Sequence, residues 1–246
     1  MLIKDHAICI RAIDYSETSQ IITLFAKDTG KFDAIAKGSK RPKSAFDGPI
    51  EIFSYGNVVF STSKSKKLAT LTEFKQNPTF SHLISNLFAL NCSLFAAELL
   101  NSFTEQYDPH PNLYEHLIQF IQNLKQTDQK VDSLKFMILF QIILLKETGM
   151  LPVLSHCINC RTRYEQKATK NEIYFSSSAN GLICRDCEQN FSEKIRLSKN
   201  AANCLVNLNL IKDANEKTIN EIEKILIYHF TQMLHKPPKM AKHILQ

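Results

Sequence analysis

The sequence predicts an α+β chain: an N-terminal five-stranded OB-fold barrel, then an α-helical domain with an inserted four-cysteine zinc module. Three observations lead there. Residues 1–76 alternate apolar and polar side chains in short runs, and after Asn77-Pro78 the apolar spacing turns helical. Further on, Cys157-Ile-Asn-Cys160 and Cys184-Arg-Asp-Cys187 stand with 23 residues between them. The expected boundaries are 1–78 for a nucleic-acid-binding barrel and 79–246 for the helical domain, with the zinc module at about 153–195.

In the first run, Ile8, Ile10 and Ala12 alternate with Cys9, Arg11 and Ile13, the period of a strand. Residues 20–26 and 31–36 flank an Asp28-Thr29-Gly30 turn, and residues 51–62 and 67–74 form a second pair. No helical stretch separates them, so parallel crossovers are not available and a small closed antiparallel barrel is expected. The OB-fold leads, and an SH3-like barrel shows the same alternation.

Beyond Pro78, apolar residues from Leu83 to Phe103 and from Leu113 to Leu124 recur at helical spacing. A third helix, capped by Asp132 or Ser133 and running to about Lys146, is apolar around most of its circumference and belongs at the centre of a bundle. Gly149 and Pro152 end it. Ser198 starts a short helix, and a last one carries Ile219, Ile222, Leu226 and Phe230 towards Pro237-Pro238.

Each Cys-x-x-Cys turn presents two sulfurs. Two such turns make a tetrahedral zinc site, one ion per chain, held by Cys157, Cys160, Cys184 and Cys187. Four thiolates leave no coordination position open, so the ion is structural. His156 reads as a bystander, and Arg161, Arg163 and Arg185 either offset the site's charge or are solvated.

The net charge of +6 divides unevenly: 12 basic against 8 acidic side chains in residues 1–78, 4 against 7 in 79–150, and 14 against 9 in the rest. Basic ends favour a polyanion partner. The densest cluster is Lys37-Gly-Ser-Lys-Arg-Pro-Lys43, with four positive charges in seven residues. Lys37, Lys40, Arg41 and Lys43 there, Lys64, Lys66 and Lys67 between two later strands, and Arg11 on the first strand are the candidate phosphate contacts. Tyr15, Phe32, Tyr55 and Phe60 are candidate rings for base stacking.

Phosphate-loop, dinucleotide-loop, zinc-protease and serine-hydrolase signatures are absent, and no catalytic residue is assigned. Glu221 and Glu223, two apart on a helix, point in different directions. Lys4, Asp5 and His6 break any leader-like apolar run, and no run reaches the ~20 residues of a membrane span. A reduced cytoplasmic protein, without membrane contact and not an enzyme, is expected.

The chain resembles the bacterial recombination mediator RecO family over nearly its full length. The resemblance is carried by Tyr15-Ser-Glu-Thr-Ser-Gln-Ile-Ile, Gly30, Ala36-Lys-Gly-Ser-Lys-Arg-Pro-Lys-Ser44, the segment Phe140 to Pro152, and the two cysteine pairs with Gly181-Leu-Ile-Cys184. Departures are Gln141 where the family commonly has Glu, Phe95 for Tyr, and Asn180 for a second glycine. The resemblance implies nucleoid-associated DNA repair by homologous recombination. It implies ATP-independent binding to single- and double-stranded DNA, strand annealing, and recombinase loading with RecR and RecF. It also implies recruitment through the C-terminal tail of the single-stranded DNA-binding protein; an acidic tail of that kind needs cations at the rim of an apolar pocket, and Lys125, Lys130 and Lys135 are the nearest candidates. A different reading of the residues is a zinc-containing RNA-binding factor of translation or RNA processing.

Overall fold

β1 (Leu2–Asp14) is long enough to pair twice, which is what closes the first unit of the chain. Its first half runs antiparallel to β4 (Tyr55–Ser61) and its second half antiparallel to β2 (Gln20–Ala26). β2 pairs with β3 (Gly30–Ala36), and β4 with β5 (Ala69–Asn77). Ala34, Ile35 and Ala36 then run parallel to Ala69, Thr70 and Leu71, giving a closed barrel in the order β1-β2-β3-β5-β4. That order is the OB-fold. The wholly antiparallel barrel expected from the alternation is corrected at this β3–β5 pair. The long connection after Ala36 carries the chain across the barrel end, so β4 can lie beside β1 and β5 can return parallel to β3. The computed structural model of the chain describes residues 2–62, 68–77, 80, 83, 85–127, 129–164 and 172–245.

Inside the barrel, Phe32 and Phe60 are fully buried and stacked, ring centroids 4.2 Å apart, and Phe46 and Ile50 from the long connection fill its end. Two helices pack on the same unit. α1 (Leu87–Phe103) starts four residues later than Leu83 because Asn86 caps it, its side chain accepting from the Ala89 amide at 3.0 Å. α2 (Pro111–Leu124) opens on a proline at its first turn, where no amide is needed. Lys31, nearly fully buried, donates to the Asn101 carbonyl in the last turn of α1 at 2.6 Å, and Tyr114 meets His6 Nδ1 at 2.8 Å. A side chain at Gly30 would put its Cβ 2.1 Å from the Asp108 carbonyl oxygen, so the segment before α2 rests directly on the β2–β3 turn. Through these contacts the compact units divide between Lys125 and Gln126, well beyond the strand-to-helix change at 78/79.

In the second unit, α3 (Lys130–Glu147) packs against α5 (Glu216–Leu234). Gln129 rather than Asp132 or Ser133 stands at the start of α3; Asp132 lies in its first turn, 3.1 Å from Lys135. Gly149, at φ 72, ends the helix with its amide on the Lys146 carbonyl. Ser198 caps α4 (Lys199–Val206) as expected. Between α3 and α4 lies a three-stranded sheet with no counterpart in the sequence reading: β6 (Ile173–Ser176) flanked by β7 (Gly181–Cys184) and β8 (Ile195–Arg196). No helix among the described residues is long and apolar enough to cross a membrane.

Candidate metal centre and nucleic-acid face

The four predicted cysteines converge. One sulfur from each of Cys157, Cys160, Cys184 and Cys187 lies within 4.8 Å of the other three. Local backbone chemistry makes the two turns that hold them. In the first, the Cys157 carbonyl accepts from the Arg161 amide and its amide donates to the Thr162 carbonyl, both at 2.9 Å, with Arg161 at φ 61 to turn the chain. In the second, Cys184 closes β7 and Cys187 sits in the 3-10 turn that follows. Val153 donates its amide to the Asn180 carbonyl and accepts from the Leu182 amide, both at 2.9 Å, which brings the turns together, and Gly181 fits closely there because a Cβ would meet the Val153 carbonyl at 3.0 Å.

The donor set fits a tetrahedral metal ion. Bonds of about 2.3 Å from a central ion imply sulfur–sulfur edges of about 3.8 Å, and Cys160 and Cys184 are 3.7 Å apart. Amide donors already point at the sulfurs: Cys184 N–H to Cys157 Sγ at 3.4 Å and Asn159 Nδ2 to Cys187 Sγ at 3.3 Å, the second-layer contacts a thiolate needs. Burial raises the Cys184 thiol, whereas the Thr162 hydroxyl and amide lower that of Cys160, so the cluster does not become four thiolates unaided. A bound cation removes that obstacle. His156 is turned to the Ser155 hydroxyl at 3.0 Å, and Arg161, Arg163 and Arg185 are exposed.

Two residues that no sequence signal marked secure this hairpin to α5. Glu193 accepts from the hydroxyls of Ser176, Ser178 and Tyr228 and from the amides of Ser177 and Ser178. Against the opposing effect of its own burial, these donors hold its carboxyl down to about 2. His229, on α5 and almost fully buried, shares a 2.7 Å hydrogen bond with Ser177, and burial lowers it to about 4.

The basic loop after β3 is pinned rather than free. Gln20 is buried and bridges it, accepting from the Ser39 hydroxyl at 2.8 Å and the Ile50 amide at 3.0 Å while donating to the Ile50 carbonyl. The Lys40 amide donates to Thr18 O at 3.1 Å, so the loop lies against the β1–β2 turn. Lys37, Arg41 and Lys43 are exposed, as is Arg11 on β1. Lys40 is not free: its ammonium is 2.8 Å from Asp14. Lys64, Lys66 and Lys67 lie outside the described residues. Of the four candidate rings, Phe32 and Phe60 are core, Tyr55 packs edge-on to His6, and Tyr15 is 64% exposed.

Comparison with known proteins agrees with this layout. The family model described as "Recombination protein O N terminal" matches residues 1–78, and "Recombination protein O C terminal" matches residues 84–242. Proteins named DNA repair protein RecO are similar along most of the chain. That of Bacillus pumilus is 29% identical over 240 residues, 94% of this chain and 89% of its own length. That of Bacillus subtilis is 30% identical over 83% of this chain and 76% of its own, and that of Salinibacter ruber 32% over 75% and 68%. None of these names carries a catalytic activity. With an OB-fold barrel, a helical unit and a four-cysteine cluster in family order, the chain belongs to the RecO family of bacterial DNA repair by recombination.

Proposed function

We propose that the chain is an ATP-independent DNA-binding and strand-annealing protein that loads recombinase onto single strands. The observation that carries this reading is the pinned basic loop, which holds Lys37, Arg41 and Lys43 in solvent beside the barrel face, with Arg11 exposed on that face. Cations held this way neutralise phosphates of either a single or a double strand without contacting base edges. When two complementary strands are bound, their mutual repulsion falls while their bases remain free to pair. Lys64, Lys66 and Lys67 extend the set in this reading, and residues 1–78 serve as the DNA-binding domain.

The cysteine cluster takes one zinc ion, chosen over softer or octahedral metals because four cysteine sulfurs within 4.8 Å of one another are a zinc-type donor set. The ion supplies a covalent-strength staple and no substrate chemistry. RecR, RecF and the acidic C-terminal tail of the single-stranded DNA-binding protein are the expected partners, and the nucleoid the expected place of action. Of the lysines assigned to the tail, Lys135 is already engaged by Asp132, which weakens its part in that assignment.

The test is annealing of complementary oligonucleotides, bare and coated with the single-stranded DNA-binding protein, without any nucleotide cofactor. Acceleration of both supports the reading. Tighter binding to single-stranded RNA than to DNA of the same sequence, with no annealing, would instead support the RNA-binding factor.

A further inference from the structure

The four sulfurs of the cluster do not meet solvent alike. Cys157 is fully buried and takes the backbone amides of Asn159, Cys160 and Cys184, while Cys187, 7% exposed, takes the Asn159 side-chain amide at 3.3 Å. Burial keeps reagents from this inner pair, and amide hydrogen bonds stabilise a thiolate and lower its nucleophilicity. Cys160, in contrast, is exposed, with the Thr162 hydroxyl 3.2 Å from its sulfur, and Cys184 is half-buried. The sulfurs of these two outer cysteines are 3.7 Å apart.

The outer pair also spans the two turns. Cys160 belongs to the first Cys-x-x-Cys and Cys184 to the second, so a bond between them would tie the turns together, as a bond inside either turn would not. Cys184 lies opposite Ile173 at the open end of the β6–β7 hairpin, whereas Glu193 holds Ser176 and Ser178 at its closed end. The cluster can therefore rearrange without touching the contacts that join the hairpin to α5.

We propose that Cys160 and Cys184 are an oxidation site: a hydroperoxide reacts at Cys160, and the disulfide then formed with Cys184 releases the metal. The proposal rests on the zinc reading of the cluster and makes the staple reversible. The Cys160 thiolate attacks a peroxide oxygen, the O–O bond breaks, and the departing alkoxide or hydroxide takes a proton from water, leaving a sulfenic acid on Cys160. The Cys184 thiolate attacks that sulfur, the S–O bond breaks, and hydroxide leaves to become water with a second proton. Two electrons pass from the sulfur pair to the peroxide. With two of its four sulfurs bonded to each other, the cluster gives up its ion. Closing the pair from 3.7 Å to a bond of about 2 Å is a small motion for side chains on the outside of their turns. The new bond takes over the cross-link that the ion supplied, so the hairpin stays folded, and a thiol reductant with zinc restores it.

The test uses the native full-length chain, assayed for zinc and then treated with hydrogen peroxide while a chromogenic chelator follows release. Remaining thiols are alkylated and the chain is cut with trypsin. Cleavage after Lys146, Arg161, Lys170, Arg185 and Lys194 leaves Cys157 and Cys160 on 147–161, Cys184 on 171–185 and Cys187 on 186–194. Release of one ion per chain is expected at the rate at which 147–161 becomes linked to 171–185, with Cys157 alkylated in the linked product. Dithiothreitol and zinc should reverse both, and the oxidised, zinc-free chain should keep exchange protection in β6 and β7. A 147–161 peptide lighter by two hydrogens, a link from 171–185 to 186–194, or alkylated Cys160 in the linked product would overturn the outer pair. Zinc that stays bound under peroxide sufficient to oxidise free glutathione overturns the proposal while the metal reading stands. Native protein without zinc overturns both.

Discussion

The cysteine cluster and the barrel face are built in opposite ways. At the cluster, four like atoms are brought within 4.8 Å by backbone bonds of two short turns, and the loss of any one sulfur opens the whole coordination sphere. At the barrel face, Lys37, Arg41, Lys43 and Arg11 are separate exposed side chains, each able to meet a phosphate alone. If the cluster holds its metal and the face meets phosphate, as proposed, one site is all-or-none and the other graded and tolerant. The difference teaches where substitution should unfold the chain and where it should only weaken binding.

The largest effect expected is at the cluster. Metal affinity in such sites is folding energy, on the order of 10 kcal/mol or more. Native protein should carry one zinc per chain by elemental analysis, and Cys184→Ala should carry none, losing hydrogen-exchange protection through β6, β7 and β8. The loss should reach Tyr228 and His229 on α5, because Glu193 and Ser177 join the hairpin to that helix. Cys92→Ala, at a buried thiol in α1 outside the cluster, should keep its zinc. Zinc-free native protein with all seven cysteines reactive would remove the contrast altogether.

A second prediction asks whether the second unit's stability belongs to the metal alone. Glu223 is fully buried between α5 and α3, receives one hydrogen bond, 2.7 Å from Gln141, and burial pushes its carboxyl up to about 8. Among the described residues its second oxygen and the Gln141 amide oxygen are both buried without a donor, and a protonated carboxyl is itself a donor. The folded state thus keeps a proton that the unfolded chain releases near pH 4.5. The associated stability is complete below that pH, falls as pH rises, and is gone above about 8. Between pH 6 and 8, where the thiolates keep their metal, thermal melts should show a loss of about 3 kcal/mol that Glu223→Gln abolishes. Identical pH profiles for wild type and variant would leave the metal hairpin as the main source of stability in the unit.

These two carboxylates also mark the limit of what was legible in the chain. Cysteine spacing is a covalent fact, so the metal site could be read directly, and the alternation in β1 to β5 revealed a barrel. The parallel β3–β5 pair could not be read, since it depends on where the connection after Ala36 crosses. Nor could the loop's anchoring, which rests on Gln20, a polar residue buried at the start of a strand. Glu193 and Glu223 look alike as letters. One gathers five donors and the other a single amide, and only the packing of distant segments makes that difference.

On the barrel face the effects should be smaller and additive. If Lys37, Arg41 and Lys43 each meet a phosphate of a single strand, their joint replacement by Ala should flatten the plot of log affinity against log salt by about 2, at ~0.7 per contact. The change should be the same for every sequence tested. An unchanged slope would show that the loop is held beside the face without touching DNA.

Lys40 provides the smallest and sharpest test, because the structure separates it from its neighbours in the loop. Its ammonium is 2.8 Å from Asp14, whose side chain is 65% exposed, and a surface pair of this kind is worth at most about 1 kcal/mol. The pair therefore costs folding little to break, while it hides one cation from DNA. Asp14→Asn should release Lys40, steepen the salt dependence by up to ~0.7, and tighten binding modestly without moving the melting temperature much. Lys40→Ala in the wild-type background should do almost nothing, and in the Asp14→Asn background it should reverse the gain. If Lys40→Ala alone flattens the slope as much as Arg41→Ala does, the ion pair opens on binding. The four loop cations would then be equivalent, and the face would be more adaptable than its static geometry shows.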